Sequence, residues 1–353
     1  MFLLVIFALC ILVVGLRRQD NSEPLRKEQT TAINGFFVLI IFIDHFVQCV
    51  SRMGYAPSGL ADSAYSIFRS NLAQLHVVSF LCFSGYGIME SIKKNGLMYI
   101  YELPRRRLLT VWANFAVGVL VIAVIQVLMG NGQPFLKVLS ALSGWVQIGN
   151  PSWFIFHILW CYAAVYVSFR LSNLLGSRMW WLVFGVLGVL LLCLAYIALL
   201  LVLRPEKIWW YNTALVFPFG MMLSITKQSW VRLFHRHYFK VLAGVIVIFL
   251  FAMQYKGILC GLGHNVYSFC FVILLILLSM KFSIKNIWLT WLGRNIFPIY
   301  MYQFVYFLIC ERFLDGASLS KICVLMIFTI CLALTCVTTY LYKYWQVKIK
   351  PRD

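Results

Sequence analysis

The sequence predicts an all-α fold, a polytopic transmembrane helical bundle of about eleven spans, and three observations carry that prediction. Of the 353 residues, 62% are apolar and 12% are charged, whereas a soluble domain carries about a quarter charged residues. Near-continuous apolar runs, long enough to cross about 30 Å of hydrocarbon, recur along the whole chain. The 30 Lys and Arg residues gather in alternate connecting segments, as the positive-inside rule requires. Strict apolar/polar alternation is absent, which argues against an outer-membrane barrel.

In chain order the spans are expected near residues 1–16, 31–51, 72–92, 108–129, 152–171, 180–203, 211–226, 240–255, 266–280, 295–313 and 322–342. With the segment after the first span cytoplasmic, 22 of the 30 basic residues fall inside and 8 outside. The N-terminus is then outside, the C-terminus cytoplasmic, and the net charge of +19 reads as topology rather than nucleic-acid binding. Residues 1–30 form an N-terminal hydrophobic span with a basic cytoplasmic segment, 31–342 a ten-span core, and 343–353 a basic cytoplasmic tail.

The first sixteen residues have neither a charged n-region nor a small-residue cleavage site, so no removable signal peptide is expected. The eleven cysteines are scattered, mostly within spans, and no spacing suggests a zinc site or a disulfide framework, so no metal is expected. No soluble domain, long linker or internal repeat is evident. Phe135 to Leu142 is apolar on one side and is expected to lie along the outer interface. Pro218 and Pro298 read as helix breaks, but not at the corresponding positions an inverted repeat would show.

The chemistry is sought first in the second span, where Asp44 and His45 interrupt an apolar run from Ile33 to Phe46. Ionisable groups in hydrocarbon are costly and rarely persist without a partner or a task. Histidine releases its proton near neutral pH, which suits it to general-base work. Asn34 stands eleven residues before His45, nearly on the same helical face and about 16 Å away along the axis. Asp44 points about 100° away from the imidazole on a regular helix, so it need not orient it. The plain alternative is a histidine bonded to another helix.

Other candidates follow in order. Ser84, Gly85 and Gly87 end the third span and permit close approach of either a helix or a ligand. Arg105, Arg106 and Arg107 precede the fourth span and suit either a phosphate-bearing ligand or anionic lipid headgroups. His76 and His157 fall in the outer halves of the third and fifth spans, where with His45 they would line a polar cavity. Tyr300 and Gln303 share a face of the tenth span and suit an acyl carbonyl, a sugar hydroxyl or an interhelical bond.

These residues, in this order, resemble the acyltransferase 3 family of integral membrane O-acyltransferases over about residues 30–342. The family's pattern of a basic residue, ten residues of apolar helix and a histidine falls on Asn34 to His45. The family's Phe-Phe-x-x-Ser-Gly-Tyr resembles Phe80 to Tyr86, its basic stretch Arg105 to Arg107, and its Trp-Phe opening Trp153-Phe154. Its late Leu-Gly-x-x-Ser-x-x-Ile-Tyr-Leu-x-His is similar to Leu292 to Gln303. Leu81 stands in place of the second aromatic, and two further departures bear on chemistry: Asn34 replaces a basic residue, and Gln303 replaces the late histidine.

The resemblance implies an O-acyltransferase of the plasma (inner) membrane that moves an acyl group, acetyl being expected, from acyl-CoA to a hydroxyl of a cell-surface or lipid-linked glycan. Acyl-CoA is then a co-substrate and no cofactor is permanently bound. The partners are acyl-CoA, the glycan or lipid-linked sugar acceptor and the lipid bilayer, with no nucleic acid. His45 is the implied general base, with Asp44 beside it as the second catalytic candidate. Arg105, Arg106, Arg107, Asn34 and Ser84 are assigned to the donor, and His157, His76, Tyr300 and Gln303 to the substrate. The rival readings are a glycan or lipid transporter, and an inactive scaffold in polysaccharide assembly, the latter prompted by Asn34.

Overall fold

A computed structural model describes residues 2–55, 59–72, 74–150, 152–175, 177–258, 262–314 and 319–349. Residue 1 of the first expected span, Pro151 and the last four residues of the tail therefore lie outside the described residues.

The helices, in chain order, are α1 (Phe2–Gly15), α2 (Lys27–Arg52), α3 (Leu60–Leu72), α4 (Leu75–Asn95), α5 (Leu97–Leu103), α6 (Thr110–Leu128), α7 (Phe135–Ala141), α8 (Trp153–Ser172) and α9 (Arg178–Leu203). They continue with α10 (Val216–Ile225), α11 (Lys227–Arg236), α12 (Tyr238–Gln254), α13 (Leu262–Lys281), α14 (Ile287–Arg294), α15 (Ile296–Leu314) and α16 (Lys321–Ile349). The chain is an all-α, multi-pass helical bundle with one small exception. Strand β1 (Leu16–Arg18) pairs antiparallel with β2 (Phe282–Ile284), a ribbon that the apolar patterning gave no sign of. It sets the ends of α1 and α13 side by side, and the Lys281 ammonium beside Asp20 holds that carboxyl below its ordinary range.

Every expected span coincides with a helix, but not every such helix is long. Among the described residues seven helices are long and apolar enough to cross a membrane, or eight if the pair α11–α12, bent by 103°, counts as one. Helix α10 has ten residues, about 15 Å of rise, half the hydrocarbon thickness. Irregular backbone at membrane depth is tolerated where protein covers it, and α10 lies against α4, as the sequence-distant glycines explain. A Cβ at Gly85 would overlap the Phe217 carbonyl, and one at Gly220 would overlap the Cys82 carbonyl. A second seam of this kind joins α2 to α14 through Gly35 and Gly293, which touch the backbone of Leu289 and Thr31. Small residues let backbones meet where apolar burial cannot drive association.

Three sequence expectations are corrected here. Pro218 and Pro298 break nothing: each sits at the third residue of its helix, where the missing N–H has no intrahelical acceptor to lose. Gly87 has open space beside it and takes no part in packing. The segment around α7 does not lie across the outer end of α6. It folds back along that helix, so that the Trp112 indole on the first turn of α6 donates to the Leu142 carbonyl at 3.1 Å. The chain then climbs again, and Gln126 near the far end of α6 donates to the Ile148 carbonyl at 2.7 Å.

Charge separates the two ends of the bundle. One end carries the ribbon, the Glu90–Lys93 pair and the Lys227–Glu23 pair. The other carries the Arg52–Glu311 pair and Lys256, which holds Ser70 and Asn71. The first is the end that the charge count assigns to the cytoplasm.

Candidate active site

Helix α2 is the axis of the site, because α4, α14 and α15 all pack against it and its middle turns are almost wholly buried. His45 is half-buried and faces a cavity of about 590 Å³ at the end opposite the basic one. Its ring lies 4.9 Å from that of Phe304 and 6.1 Å from that of Tyr300, centroid to centroid. Helix α15 runs parallel to α2 here, so Gln303 meets His45 while Glu311 meets Arg52, whose Nε donates at 2.9 Å.

The Gln303 contact decides which ring nitrogen of His45 holds the proton. Gln303 Nε2 lies 3.0 Å from the Tyr300 carbonyl oxygen, which only accepts, so the amide nitrogen faces that way. The same nitrogen lies 3.1 Å from His45 Nδ1. A donor at that position makes Nδ1 the acceptor in the neutral ring and leaves the proton on Nε2.

A second cavity, of about 330 Å³, lies beside the first, and Ile41, Val77 and Tyr300 line both. Its far reach is lined by Arg107 and Arg294 of the basic end. Ser84 lines it midway, its hydroxyl 3.1 Å from that of Tyr162. The imidazole thus faces one cavity, and the neighbouring cavity that shares part of its wall is lined by the two arginines.

The structure distributes the other candidates unevenly. Tyr300, Gln303, Ser84 and Arg107 join His45 around the two cavities. Asp44 lines the outer cavity, but its carboxylate serves other residues: Tyr65 donates to Oδ1 at 2.7 Å, and His76 Nδ1 lies 2.9 Å from Oδ2. His76 is buried between the rings of Phe37 and Phe68 and borders an apolar groove on the flank of the bundle, not the His45 cavity. His157 turns the other way, stacked on Tyr196 of α9 at 5.1 Å, with neither ring nitrogen bonded. The expected cavity of three histidines is therefore a cavity with one. Arg106 pairs with Glu102, and neither it nor Arg105 lines the inner cavity. Consecutive residues of a helical turn, here Pro104–Leu109, diverge by about 100°, so the three side chains cannot share one face. Asn34 lines neither cavity, and its carboxamide oxygen is buried without a partner beside the α2–α14 seam.

Sequence reasoning missed several lining residues. Arg294 adds a second guanidinium to the inner cavity, and its place in the Leu292-Gly293-Arg294 segment was a usable signal. Arg52, Arg69, Asn150, Trp209 and Glu311 line the outer cavity and come from five separate loops or helix ends. Nothing local in the chain marks these as neighbours. Among the described residues, no group of three metal-ligating side chains is assembled.

A family model described as an acyltransferase domain matches residues 32–340, most of the chain and the whole of both cavities. No curated protein and no solved structure matches the chain.

Proposed function

The chain belongs to the acyltransferase 3 family, and from that premise we propose that it transfers an acyl group, acetyl in the first instance, from acyl-CoA to a hydroxyl of a cell-surface or lipid-linked glycan. In this reading the basic end faces the cytoplasm, the membrane is the plasma membrane, and eleven crossings place the N-terminus outside. The nucleotide phosphates rest near Arg107 and Arg294, whose fork-shaped donors suit phosphate oxygens. The pantetheine arm enters the inner cavity past Ser84 and brings the thioester to Tyr300 and His45. The helical rise from Asn34 to His45, about 16 Å, is a length such an arm covers.

The acceptor enters from the opposite cavity. Its hydroxyl oxygen attacks the thioester carbonyl carbon while its proton passes to His45. The C–S bond then breaks, the ester remains on the acceptor, and the thiolate leaves with a proton returned by the imidazolium. Because the Gln303 amide N–H rests on Nδ1 in the free protein, the incoming hydroxyl displaces that contact to reach the lone pair. Tyr300, which lines both cavities beside His45, is the donor assigned to the developing oxyanion, while Ser84 lines the path of the arm. One observation carries this reading: a single histidine faces one of two neighbouring cavities that share Tyr300 as lining, and two arginines line the other. The test is mass spectrometry of surface glycans from cells carrying the wild-type chain or His45→Ala. An acyl mass lost with the variant is expected, and unchanged acylation overturns the assignment.

A further inference from the structure

The outer cavity holds more polar chemistry than a proton transfer uses. Of its charged side chains, Asp44 commits both carboxylate oxygens to Tyr65 and His76, and Arg52 and Glu311 pair with each other. Arg69 is left over. It stands one turn beyond Tyr65 on α3 and lines the cavity, with no ion pair or hydrogen bond among the described residues and its Nε buried without a partner. On the wall formed by the folded-back loop, Asn150 lines the same space; it is 3% exposed, and both of its amide atoms lack partners.

Buried polar side chains are ordinarily hydrogen-bonded, and those that are not call for an explanation. The half-buried Arg69 guanidinium, on the connection between α2 and α4, likewise has no carboxylate hydrogen-bonded to it among the described residues, since Asp44 is held by Tyr65 and His76. Both deficits are met at once by a ligand that carries an anionic group next to hydroxyls. Resting on the acyl-acceptor role of this cavity, we infer that the acceptor is an acidic glycan. It presents a carboxylate or phosphate to Arg69, and Asn150 hydrogen-bonds a neighbouring hydroxyl. Arg69 then selects the acceptor and fixes which hydroxyl meets His45, while taking no part in proton transfer.

Binding tests this without any acyl transfer. The purified full-length chain is titrated with methyl glucuronide, glucose 1-phosphate and neutral methyl glucoside, with ligand-detected NMR as the readout. At least one anion should bind about tenfold tighter than the glucoside, the usual scale of one charge-assisted contact. The tighter of the two identifies carboxylate or phosphate. Arg69→Gln should erase the preference, Arg69→Lys should keep part of it, and His45→Ala and Arg107→Gln should leave it intact. Equal binding of all three ligands, no binding of either anion, or an Arg69→Gln protein that still prefers anions overturns the inference. A preference lost only in Arg107→Gln also overturns it, by assigning the anion to the inner cavity. Because His45→Ala is scored separately on surface acylation, failure of the acyl-transfer reading and failure of this one give different results.

Discussion

The Asp44 carboxylate lies 2.9 Å from Nδ1 of His76 on the neighbouring helix, and not on His45, its neighbour in the chain. Successive residues of a helix diverge by about 100°, so one of the pair faces the cavity while the other ties α2 to α4 and α3. Asp44 is therefore a structural anchor. Asp44→Ala strands a buried imidazole and the Tyr65 hydroxyl, and should cost about 1–3 kcal/mol for each donor left unsatisfied. Thermal melts in detergent check this. The double variant with His76→Ala should fall well short of the sum of the two single losses, and His45→Ala should melt close to wild type.

The glycine seams offer a sharper contrast. Ala at Gly35, Gly85, Gly220 or Gly293 meets a facing backbone that no side-chain rotation relieves. Each substitution should destabilise the bundle by about 1–3 kcal/mol or more, the range for overpacking. Gly87→Ala, with open space beside it, should express and melt like wild type. Equal sensitivity of Gly85 and Gly87 would refute the packing described here.

For donor binding, the inner cavity separates the arginines. Arg107→Gln and Arg294→Gln should each raise the KM for acyl-CoA by about tenfold or more, the loss of one charge-assisted bond. Arg105→Gln should leave it within error, because Arg105 lines neither cavity. Steady-state kinetics in proteoliposomes decide the matter, and a larger effect at Arg105 would move the nucleotide site.

For the proton transfer, His45→Ala should lower kcat by about 10²–10⁴, the usual worth of a positioned base. The neutral ring is the active form, so the wild-type rate should fall as pH drops and the ring takes a proton. Nitrogen NMR of the labelled chain should find the resting proton on Nε2 of His45. Gln303→Leu should let the two tautomers mix, and should lower kcat while leaving the KM for acyl-CoA unchanged. A resting proton on Nδ1 would disprove the role given to Gln303.

Much of the architecture was legible in the chain. Hydrocarbon demands long apolar runs with internally satisfied backbone, so composition alone determined the helical bundle. His45 stood out for the same reason, as a titratable group where solvation is poor. The tertiary structure decided what hydropathy does not encode: which face of a helix meets which neighbour. It turned Asp44, His76 and His157 into the packing, divided Arg107 from Arg105 and Arg106, and folded the α7 segment back along α6 so that Asn150 reaches the cavity. Arg69, Trp209, Glu311 and Arg294 became neighbours of the site only once close helix seams at Gly35–Gly293 and Gly85–Gly220 had set the distances. Solvation acts on each residue through its local environment and is written along the chain, whereas close contact depends on pairs far apart in sequence and exists only after the helices have packed.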